Sequence, residues 1–577
     1  MASSHVFHRS LIYEPLLAVR AEGNYIYLQD GRKLLDGSGG AAVTSIGHGD
    51  KRVIASILDQ LQTVDYVHSG TFANKAAEEL ANELIEESGM ARAVFVSGGS
   101  EAIESAIKLA RQYHLENKQP ERVNFIARKQ SYHGNTLGAL GLCRHTARRA
   151  PFLPYFSSYF HYVSPCFAYH YKLDNETDED YVKRLADELE AKFQELGPNT
   201  VAAFFAETIV GATSGCTPAV PGYFKAMRDV CDRHGALLVL DEIMCGVGRT
   251  GKMHAWQWEG LSSPPDIQVL GKGLGGGYAP LAAVLMSNKV ISAFLAGSGA
   301  FNNGYTYQSH AVGCRAALEV IKIMKEDGLI EQCHQRGLFL EKILNEKLSD
   351  HAHVGNIRGR GLFWSVEFIK NKATKEMYPS TCLFIDSIIK EFVIYPGSKG
   401  TADGVNGDHV LIAPPYTITE DELVFLVDSL KINTSYNSST MTSLIVMMTF
   451  TMQCLILGLI LFHPHVSSKP ILSPVKSNCT VNVGRRSLTE GQNIEMMGKL
   501  YKVEHCKLDR AYHACGANLL QMLSVACNVI QKTKQKVTVN KRPHTRARRY
   551  IQRKLLTEAC CETLCTVSEM LQYCPES

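Results

Sequence analysis

The sequence lacks a strong charge of either sign, an internal repeat and an apolar leader. Its 60 Lys and Arg residues nearly balance 57 Asp and Glu residues, which leaves a formal net charge of +3. This balance predicts no general affinity for nucleic acid. Residues 1–10 contain no apolar stretch of the kind that directs secretion, and their few basic residues make a weak transit peptide. The long first part of the chain is therefore expected to be cytoplasmic.

Cysteine is sparse in the first part of the chain and dense in the last part. Eight of the seventeen cysteines lie in residues 1–440 without a disulfide-like spacing, as expected of a reduced cytosolic protein. Another eight fall between Cys479 and Cys574, a density typical of small secreted domains. A chain of 577 residues is also too long for one hydrophobic core and predicts two or more domains.

Short apolar strands alternate with helical patterns in the first part of the chain. This alternation favours a wound α/β sheet. From about residue 311 onward the pattern predicts long helices and then short strands around 362–368, which fits a second, smaller α+β domain. The strands of the large sheet are predicted at 93–96, 123–127, 201–206, 236–240 and 267–270, and a helix at 101–113.

The strongest chemical signal is the pair of Asp241, in ALLVLDE, and Lys272, in LGKGLGGG. A carboxylate that ends a buried strand is costly unless a cationic partner is present. Glycines let a ligand approach the backbone closely, and a desolvated lysine amine is a nucleophile. Together the two residues suit pyridoxal phosphate: Lys272 would form a Schiff base, and Asp241 would keep the pyridine nitrogen protonated. An aspartate that caps the next loop and a lysine in a surface turn are the alternative.

A glycine-containing turn at residues 95–101 (FVSGGSE) predicts an anion site. It joins a strand to a helix, and free backbone N–H groups at a helix N-terminus bind anions. Gly99 and Ser100 would hold the phosphate of the cofactor. The alternative is an ordinary N-cap at Ser100, with Glu104 near the capping-box spacing.

Together these motifs resemble the class III, or omega-type, pyridoxal-phosphate-dependent aminotransferases over about residues 10–431. The segments SGGSEAIE, SYHGNT, FAET, LDEIMCGVGRTGK and LGKGLGGG stand in family order. The resemblance implies fold type I, with a large, mixed and mostly parallel α/β sheet domain and a small α+β domain. It also implies a homodimer with active sites at the subunit interface. The domains would be residues 1–60 (first part of the small domain), 61–310 (large domain) and 311–431 (second part of the small domain).

The resemblance also assigns site residues. Tyr132, in Tyr-His-Gly, would stack on the cofactor ring, with His133 beside it at the cofactor. Thr306 would reach the phosphate bound in the neighbouring subunit. Glu207, which ends another buried strand, would lie near cofactor and substrate and act with Lys272 and Asp241 in catalysis. A packed aromatic and a strand-end ion pair are the alternatives for Tyr132 and Glu207.

The implied reaction moves an amino group from a small amine or amino acid to a 2-oxo acid. Many relatives that use 2-oxoglutarate carry an arginine just before Ala-Pro-Pro, and Leu411 occupies that place here. We therefore expect an amine or omega-amino acid donor and pyruvate as acceptor. Arg358 and Arg360 are predicted to lie in a solvated turn rather than to bind a carboxylate. Racemisation, decarboxylation and elimination on the same scaffold are alternatives.

Residues 444–462 form an uncharged, largely apolar run of nineteen residues, long enough to span a bilayer. Read from Met441, the same run resembles a secretory signal, with small residues for cleavage at 466–468. We assign residues 432–440 to a linker and 441–468 to a signal-peptide-like or transmembrane segment. The signal is the favoured interpretation because of the sequence that follows it.

That sequence resembles an insulin-family precursor over about residues 469–577. Residues 469–532 would be the B-chain region, 533–554 a connecting peptide with dibasic sites, and 555–577 the A-chain region. The product would be a disulfide-rich helical hormone that binds its own receptor. Spacing alone does not choose among connectivities. The resemblance implies the pairs Cys560–Cys565, Cys561–Cys515 and Cys574–Cys527.

Three interpretations of the join at Met441 follow. Two unrelated genes could be merged by transcriptional read-through or in gene prediction, and the tail would then be secreted when made separately. A true fusion could instead place the enzyme on a single-pass membrane anchor with a lumenal disulfide module. The tail could also be a non-hormonal domain that serves the enzyme. The first interpretation is favoured because each part carries a complete set of signals for its own function.

Overall fold

The computed structural model describes residues 4–9, 15–378, 392–396, 400 and 403–431, and the segments 480–483, 486–489, 493–496, 499–504, 507–512 and 565–566. The chain divides into two units, Met1–Leu455 and Ile456–Ser577.

The described residues of the first unit form one large sheet and three smaller ones, with helices between the strands. Its strands are β1 (Ala18–Glu22), β2 (Tyr25–Leu28), β3 (Lys33–Asp36), β4 (Arg92–Val96), β5 (Asn124–Arg128), β6 (Phe160–Val163), β7 (Val201–Glu207), β8 (Ile209–Val210), β9 (Thr217–Pro218), β10 (Leu237–Asp241), β11 (Ile267–Leu270), β12 (Ala282–Met286), β13 (Val354–Gly359), β14 (Trp364–Asn371), β15 (Glu376–Met377), β16 (Phe392–Val393), β17 (Tyr395–Pro396) and β18 (Asp408–Ile412). Its helices are α1 (Gly39–Ala42), α2 (Lys51–Thr63), α3 (Lys75–Ser88), α4 (Gly99–Glu116), α5 (Leu137–Leu142), α6 (Thr146–Arg149), α7 (Ala168–Tyr171), α8 (Asp178–Leu196), α9 (Tyr223–His234), α10 (Asn288–Ala296), α11 (Ala311–Glu326) and α12 (Leu329–Leu348), and a further helix covers residues 420–431.

The large sheet has seven strands in the order β4-β12-β11-β10-β7-β5-β6. Its strands are parallel except β12, which runs antiparallel to β4 and β11. Every residue of β7 and β10 is buried, as expected of central strands that are covered by helices on both faces. The five predicted strands lie within one residue of their expected bounds, and the predicted wound α/β sheet is confirmed.

Helix α4 follows β4 directly and is longer than the predicted helix at 101–113. Its apolar residues recur at helical spacing, and Ala102, Ile103 and Ala106 are fully buried against the large sheet. Gly98 is the N-cap residue, and Ser100 lies inside the first turn. The alternative of an ordinary N-cap at Ser100 is therefore wrong.

The smaller sheets bring the two ends of the enzyme unit together. One has the strand order β1-β2-β3-β16, in which β16 pairs in parallel with β3. A second has the order β13-β14-β18-β17 and lies after the long helices α11 and α12, as predicted for residues from 311 onward. The predicted domain limits at residues 60 and 310 stay predictions.

In the second unit, the described residues are all strands. They are β19 (Thr480–Val483), β20 (Arg486–Thr489), β21 (Asn493–Met496), β22 (Lys499–Glu504), β23 (Lys507–Tyr512) and β24 (Cys565–Thr566). The pairs β19–β20, β21–β22, β22–β23 and β23–β24 are antiparallel, so part of the predicted A-chain region pairs with part of the B-chain region. Residues 480–512, which we expected in a helical module, form extended strands where they are described.

Several predictions fall on residues outside this description. The linker at 432–440, the signal-like or transmembrane segment at 441–468 and the connecting peptide at 533–554 all lie there, as does at least one cysteine of each predicted disulfide. Among the helices that are described, none is both long enough and apolar enough to cross a bilayer.

Candidate active site

Two buried carboxylates lie side by side at the carboxyl edge of the large sheet. Glu207 ends β7, Asp241 ends β10, and the two residues are partners in the parallel register. Loops at the carboxyl ends of parallel strands are where open α/β sheets bind ligands. Glu207 is 6% exposed and Asp241 is 4% exposed, so both carboxyl groups are shielded from bulk water.

Asp241 is held by a histidine from the loop after β5, two strands away in the sheet. His133 follows β5, and its Nδ1 lies 2.8 Å from Asp241 Oδ2. The backbone N–H of Ile243 donates to the other carboxylate oxygen over 3.0 Å. The His133 ring is buried, and its Nε2 has no hydrogen-bond partner among the described residues. The pair therefore fixes the direction of the Asp241 carboxylate.

Glu207 is held by backbone groups rather than by a cation. The N–H of Tyr132 donates to Oε1 over 3.0 Å, and the N–H of Gly211 donates to Oε2 over 3.1 Å. Burial raises the pKa of Glu207; the charge of nearby Asp241 adds to this rise, and His133 opposes it. Among the described residues, no cation forms the strand-end ion pair that was the alternative for Glu207.

Lys272 lies one residue beyond Gly271, in the turn that follows β11. It begins the 3₁₀ turn Lys272–Leu274 with a φ of 45°, a conformation that a non-glycine residue rarely adopts and that is typical of functional sites. Its Nζ has no hydrogen-bond or ion-pair partner in the described part of the chain. Burial lowers the pKa of Lys272 to about 8, although the negative charges of Asp241 and Glu207 oppose this shift. A larger fraction of this amine is therefore neutral and nucleophilic near pH 8 than in an ordinary lysine.

The N-terminus of α4 packs closely against the Tyr-His-Gly segment. Ser100 Oγ accepts a hydrogen bond from the N–H of Asn135 over 2.9 Å. Gly134 has a φ of 146°, and a Cβ at this position would lie 2.7 Å from Ser100 Oγ. A Cβ on Gly99 would lie 2.9 Å from the side chain of Ile243. Gly134 is thus required for the close approach of these two segments, and Gly99 leaves room for the Ile243 side chain.

Seven of the eight predicted cofactor-site residues line one cavity of about 270 Å³. Thr306 is the exception: it is exposed, and its carbonyl accepts a hydrogen bond from Tyr66 Oη over 3.0 Å. The seven are Gly99, Ser100, Tyr132, His133, Glu207, Asp241 and Lys272.

Other residues of the cavity were not predicted from the sequence. Ile243, Met244 and Cys245 directly follow the Asp241-Glu242 pair, so their place in that motif could have indicated them. Arg148 and Tyr395 lie in segments without a local signal, and only the fold brings them to the cavity.

The arrangement fits pyridoxal phosphate. A helix N-terminus with Gly99 and Ser100 offers backbone N–H groups for a phosphate. The aromatic side chain of Tyr132 and the aliphatic side chain of Ile243 offer walls for a flat ring, and the Asp241 carboxylate is an acceptor for a protonated ring nitrogen. The Lys272 amine supplies the nucleophile that captures an aldehyde.

Only one of the two arginines of the segment Ile357-Arg-Gly-Arg-Gly361 lies in a partly exposed turn. Arg358 lies in β13, is 8% exposed, and its Nη1 lies 2.6 Å from Glu367 Oε2, so the prediction of a solvated turn was wrong for this residue. Arg360 lies in the bend between β13 and β14, where its Nη1 lies 3.0 Å from Glu259 Oε1. Neither arginine lines the cavity.

Comparisons with known proteins agree with this geometry. The Aminotransferase class-III family model matches residues 8–432. An uncharacterized aminotransferase of Schizosaccharomyces pombe is 46% identical over 435 residues, which cover 74% of this chain and 94% of that protein. A gamma aminobutyrate transaminase of Solanum lycopersicum is 34% identical over 72% of this chain and 79% of that protein. The structure of an omega transaminase from Pseudomonas jessenii in complex with PMP has a TM-score of 0.71 at 29% identity, over 76% of this chain and 96% of that one.

The fold and these matches define a pyridoxal-phosphate enzyme of fold type I. The chain belongs to the class III aminotransferases, and its cofactor is pyridoxal 5'-phosphate.

Proposed function

We propose that this aminotransferase moves an amino group from an amine or omega-amino acid donor to a 2-oxo acid, with pyruvate as the preferred acceptor. The observation that carries the proposal is Lys272, an amine without a partner in the described chain and with a pKa lowered to about 8 by burial. Bound pyridoxal phosphate supplies an electron sink for the removal of a proton from the amine-bearing carbon.

The chain's own residues would divide the remaining work. Lys272 would bind the cofactor and move the proton through its Nζ. Asp241, oriented by His133, would hold a proton at the pyridine nitrogen. Tyr132 would cover the ring, and Glu207 ends the strand next to that of Asp241 at the same sheet edge. Gly99 and Ser100 at the N-terminus of α4 would hold the phosphate.

The preference for pyruvate is argued from Leu411. Its side chain is fully buried in an apolar cluster with Ile209 and Met244, and those two residues also line the cavity. An apolar residue at this place offers no partner to a second substrate carboxylate. We expect kcat/KM to be at least about tenfold higher for pyruvate than for 2-oxoglutarate. The missing hydrogen bond to a charged carboxylate would contribute about that factor to binding. A panel of amines and omega-amino acids, each tested with both acceptors, measures this ratio, and a preference for 2-oxoglutarate would contradict the proposal.

A homodimer is proposed from the place of Thr306. This residue is exposed and lies outside the cavity of its own chain, as expected if it binds the cofactor phosphate of a second copy. Mixing Lys272→Ala chains with Thr306→Val chains tests this idea. Mixed dimers would contain one site with both native residues and regain tight cofactor binding at that site. A mixture no better than its two components would contradict the arrangement.

For residues 441–577 we propose an insulin-family precursor whose join to the enzyme is incidental. The enzyme part would then be cytoplasmic and the tail secreted when made separately. The support is the cysteine spacing, the dibasic sites in 541–554 and the end of the family match at residue 432. Mass spectrometry of native tissue tests the join, since a peptide spanning residues 431–441 would demonstrate a continuous protein and contradict this proposal.

A further inference from the structure

Glu242 is a buried carboxylate beside the cavity. It directly follows Asp241, but its side chain is fully buried and does not line the cavity. We propose that Glu242 is a positioning residue, whose carboxylate joins the three strands at whose ends Glu207, Asp241 and Lys272 lie. This inference rests on the roles proposed for those three residues in cofactor binding and amino transfer.

Four donors converge on the Glu242 carboxylate. The Oγ1 hydroxyl of Thr208 donates to Oε1 over 2.8 Å, and the backbone N–H of Trp256 donates to the same oxygen over 2.6 Å. Oε2 accepts from the N–H of Ala255 over 2.8 Å and from Gln268 Nε2 over 2.9 Å. Burial raises the pKa of Glu242 to about 7, and these four hydrogen bonds oppose the rise. The carboxylate is therefore mostly charged at about pH 8, where each of these hydrogen bonds is charge-assisted.

The contacts of Glu242 extend over three neighbouring strands. Thr208 directly follows β7, which ends at Glu207. Gln268 lies in β11, which ends two residues before Lys272. Glu242 itself follows β10, the strand that lies between these two in the sheet. One carboxylate thus holds together the ends of β7, β10 and β11.

Thr208 also connects this carboxylate to Asp241. Its backbone N–H donates to the carbonyl oxygen of Asp241 over 3.2 Å, while its hydroxyl binds Glu242. The N–H of Glu242 in turn donates to the carbonyl oxygen of Val269 in β11 over 2.9 Å. A shift of the Glu242 side chain would therefore change the spacing of the strand ends and move Asp241 relative to Lys272. A displacement of about 1 Å at a catalytic group can slow a reaction about 100-fold.

Asp266 offers a matched control at the opposite edge of the same sheet. It immediately precedes β11, is 3% exposed, and accepts a 2.8 Å hydrogen bond from the N–H of Leu238 in β10. Arg228 and Lys289 form ion pairs with the same carboxylate. Replacing Asp266 by asparagine therefore perturbs β10 and β11 at their amino ends, away from the site.

The test compares Glu242→Gln with Asp266→Asn in the full-length chain. Pyridoxal phosphate is titrated into the cofactor-free proteins, the visible absorbance of the bound cofactor is followed against pH, and urea unfolding measures stability. Two milder variants are measured in the same way: Thr208→Val removes only the hydroxyl donor, and Thr208→Ser keeps it.

We expect Glu242→Gln to weaken cofactor binding by about 10-fold to 100-fold, because the amide nitrogen would face a donor and leave it unpaired. The pH midpoint of the visible absorbance should move by about 0.5 unit or more, since it depends on the placement of charges around the bound cofactor. Asp266→Asn should lower stability in urea but leave cofactor affinity within about twofold, because it acts at a distant edge.

Thr208→Val should weaken cofactor binding by about threefold to tenfold. Thr208→Ser should recover most of this loss, because it keeps the hydroxyl group. The double variant Thr208→Val/Glu242→Gln should bind the cofactor no more weakly than Glu242→Gln alone, because both changes break the same contact.

A Glu242→Gln protein with the cofactor affinity and the absorbance of Asp266→Asn would overturn the inference and leave Glu242 with a role in folding only. If Glu242→Gln does not fold, the two Thr208 variants decide: equal cofactor affinities of Thr208→Val and Thr208→Ser would overturn it. The proposed function is tested separately by Lys272→Ala. Retention of the native absorbance by that variant would refute the proposed role of Lys272, whereas native behaviour of the Glu242 and Thr208 variants would refute only the positioning role.

Discussion

Replacement of Arg358 by methionine should destabilise the enzyme unit strongly. Arg358 Nη1 lies 2.6 Å from Glu367 Oε2, and its Nε donates to the carbonyl of Gly215 over 2.7 Å. The Glu367 side chain is fully buried, and its other oxygen, Oε1, lies 2.5 Å from His170 Nε2. Removing one partner of a buried ion pair costs about 3–5 kcal/mol, because the remaining charge is left uncompensated. We expect Arg358→Met to lower the free energy of unfolding by about this amount at pH 7.

The stability that Arg358→Met loses should increase as the pH rises. Burial pushes the pKa of Glu367 upward, but Arg358 and His170 outweigh burial and hold it below its ordinary value of 4.5. In the native protein this carboxylate therefore stabilises the fold above pH 4.5, and the stabilisation is lost as the pH falls through the lower folded pKa. Without Arg358, burial raises the pKa, and the variant loses stability as the pH rises. The difference between the two proteins should therefore widen from pH 4 to pH 7.

Urea unfolding followed by circular dichroism measures both effects. Lys370→Met is the matched control: Lys370 lies on the same strand as Glu367 and forms a 2.9 Å ion pair with Glu376, and both side chains are largely exposed. Its loss should stay under about 0.5 kcal/mol, as for other surface pairs. Adding Glu367→Gln to Arg358→Met should recover part of the stability, because the uncompensated charge is gone. A loss below about 1 kcal/mol for Arg358→Met, or a difference that narrows as the pH rises, would refute the reasoning.

Three further predictions concern the site and its wall. Gly134→Ala should weaken pyridoxal phosphate binding at least about tenfold in a cofactor titration. The reason is that the added Cβ would lie 2.7 Å from Ser100 Oγ and that alanine would have to keep a strained φ. Unchanged affinity would show that this contact relaxes freely. Leu411→Ala should lower the free energy of unfolding by about 2–5 kcal/mol, since it leaves a cavity in a buried apolar cluster. A loss below about 0.5 kcal/mol would contradict the tight packing of Leu411 in that cluster. The cofactor-free protein should bind pyridoxal phosphate faster as the pH rises through about 8, because Lys272 reacts as the neutral amine and its pKa is lowered to that value. Stopped-flow absorbance measures this rate against pH. A midpoint of the rate profile near the ordinary lysine pKa of 10.5 would show that burial does not lower the pKa of Lys272.

The residues that the sequence could predict are those whose signal is local. Asp241 and Lys272 were found because each breaks the pattern around it, a carboxylate at the end of an apolar strand and a lysine among glycines. The strands that carry them were found because a parallel sheet buried on both faces requires continuous apolar runs.

The residues that the sequence could not place depend on contacts between distant segments. Arg358 belongs to a segment whose two glycines, Gly359 and Gly361, resemble those of a turn. It is nevertheless buried, because Glu367 and the carbonyl of Gly215 lie opposite it. Arg148 and Tyr395 come from segments with no catalytic motif and meet only at the cavity. Their partners are fixed by strand order and register, which local patterns do not encode.

The role of Lys272 is tested most directly by the cofactor itself. The full-length protein and its Lys272→Ala variant are incubated with pyridoxal phosphate, and gel filtration removes the unbound cofactor. The visible absorbance of each protein is then recorded, and its amino transfer to pyruvate is assayed. We predict that the native protein retains the absorbance of lysine-bound cofactor and transfers amino groups, and that the variant, with an unchanged circular dichroism spectrum, loses both properties. A variant that keeps the same absorbance band, or transfers amino groups at the native rate, would contradict the assignment of Lys272 as the cofactor-binding and proton-moving residue.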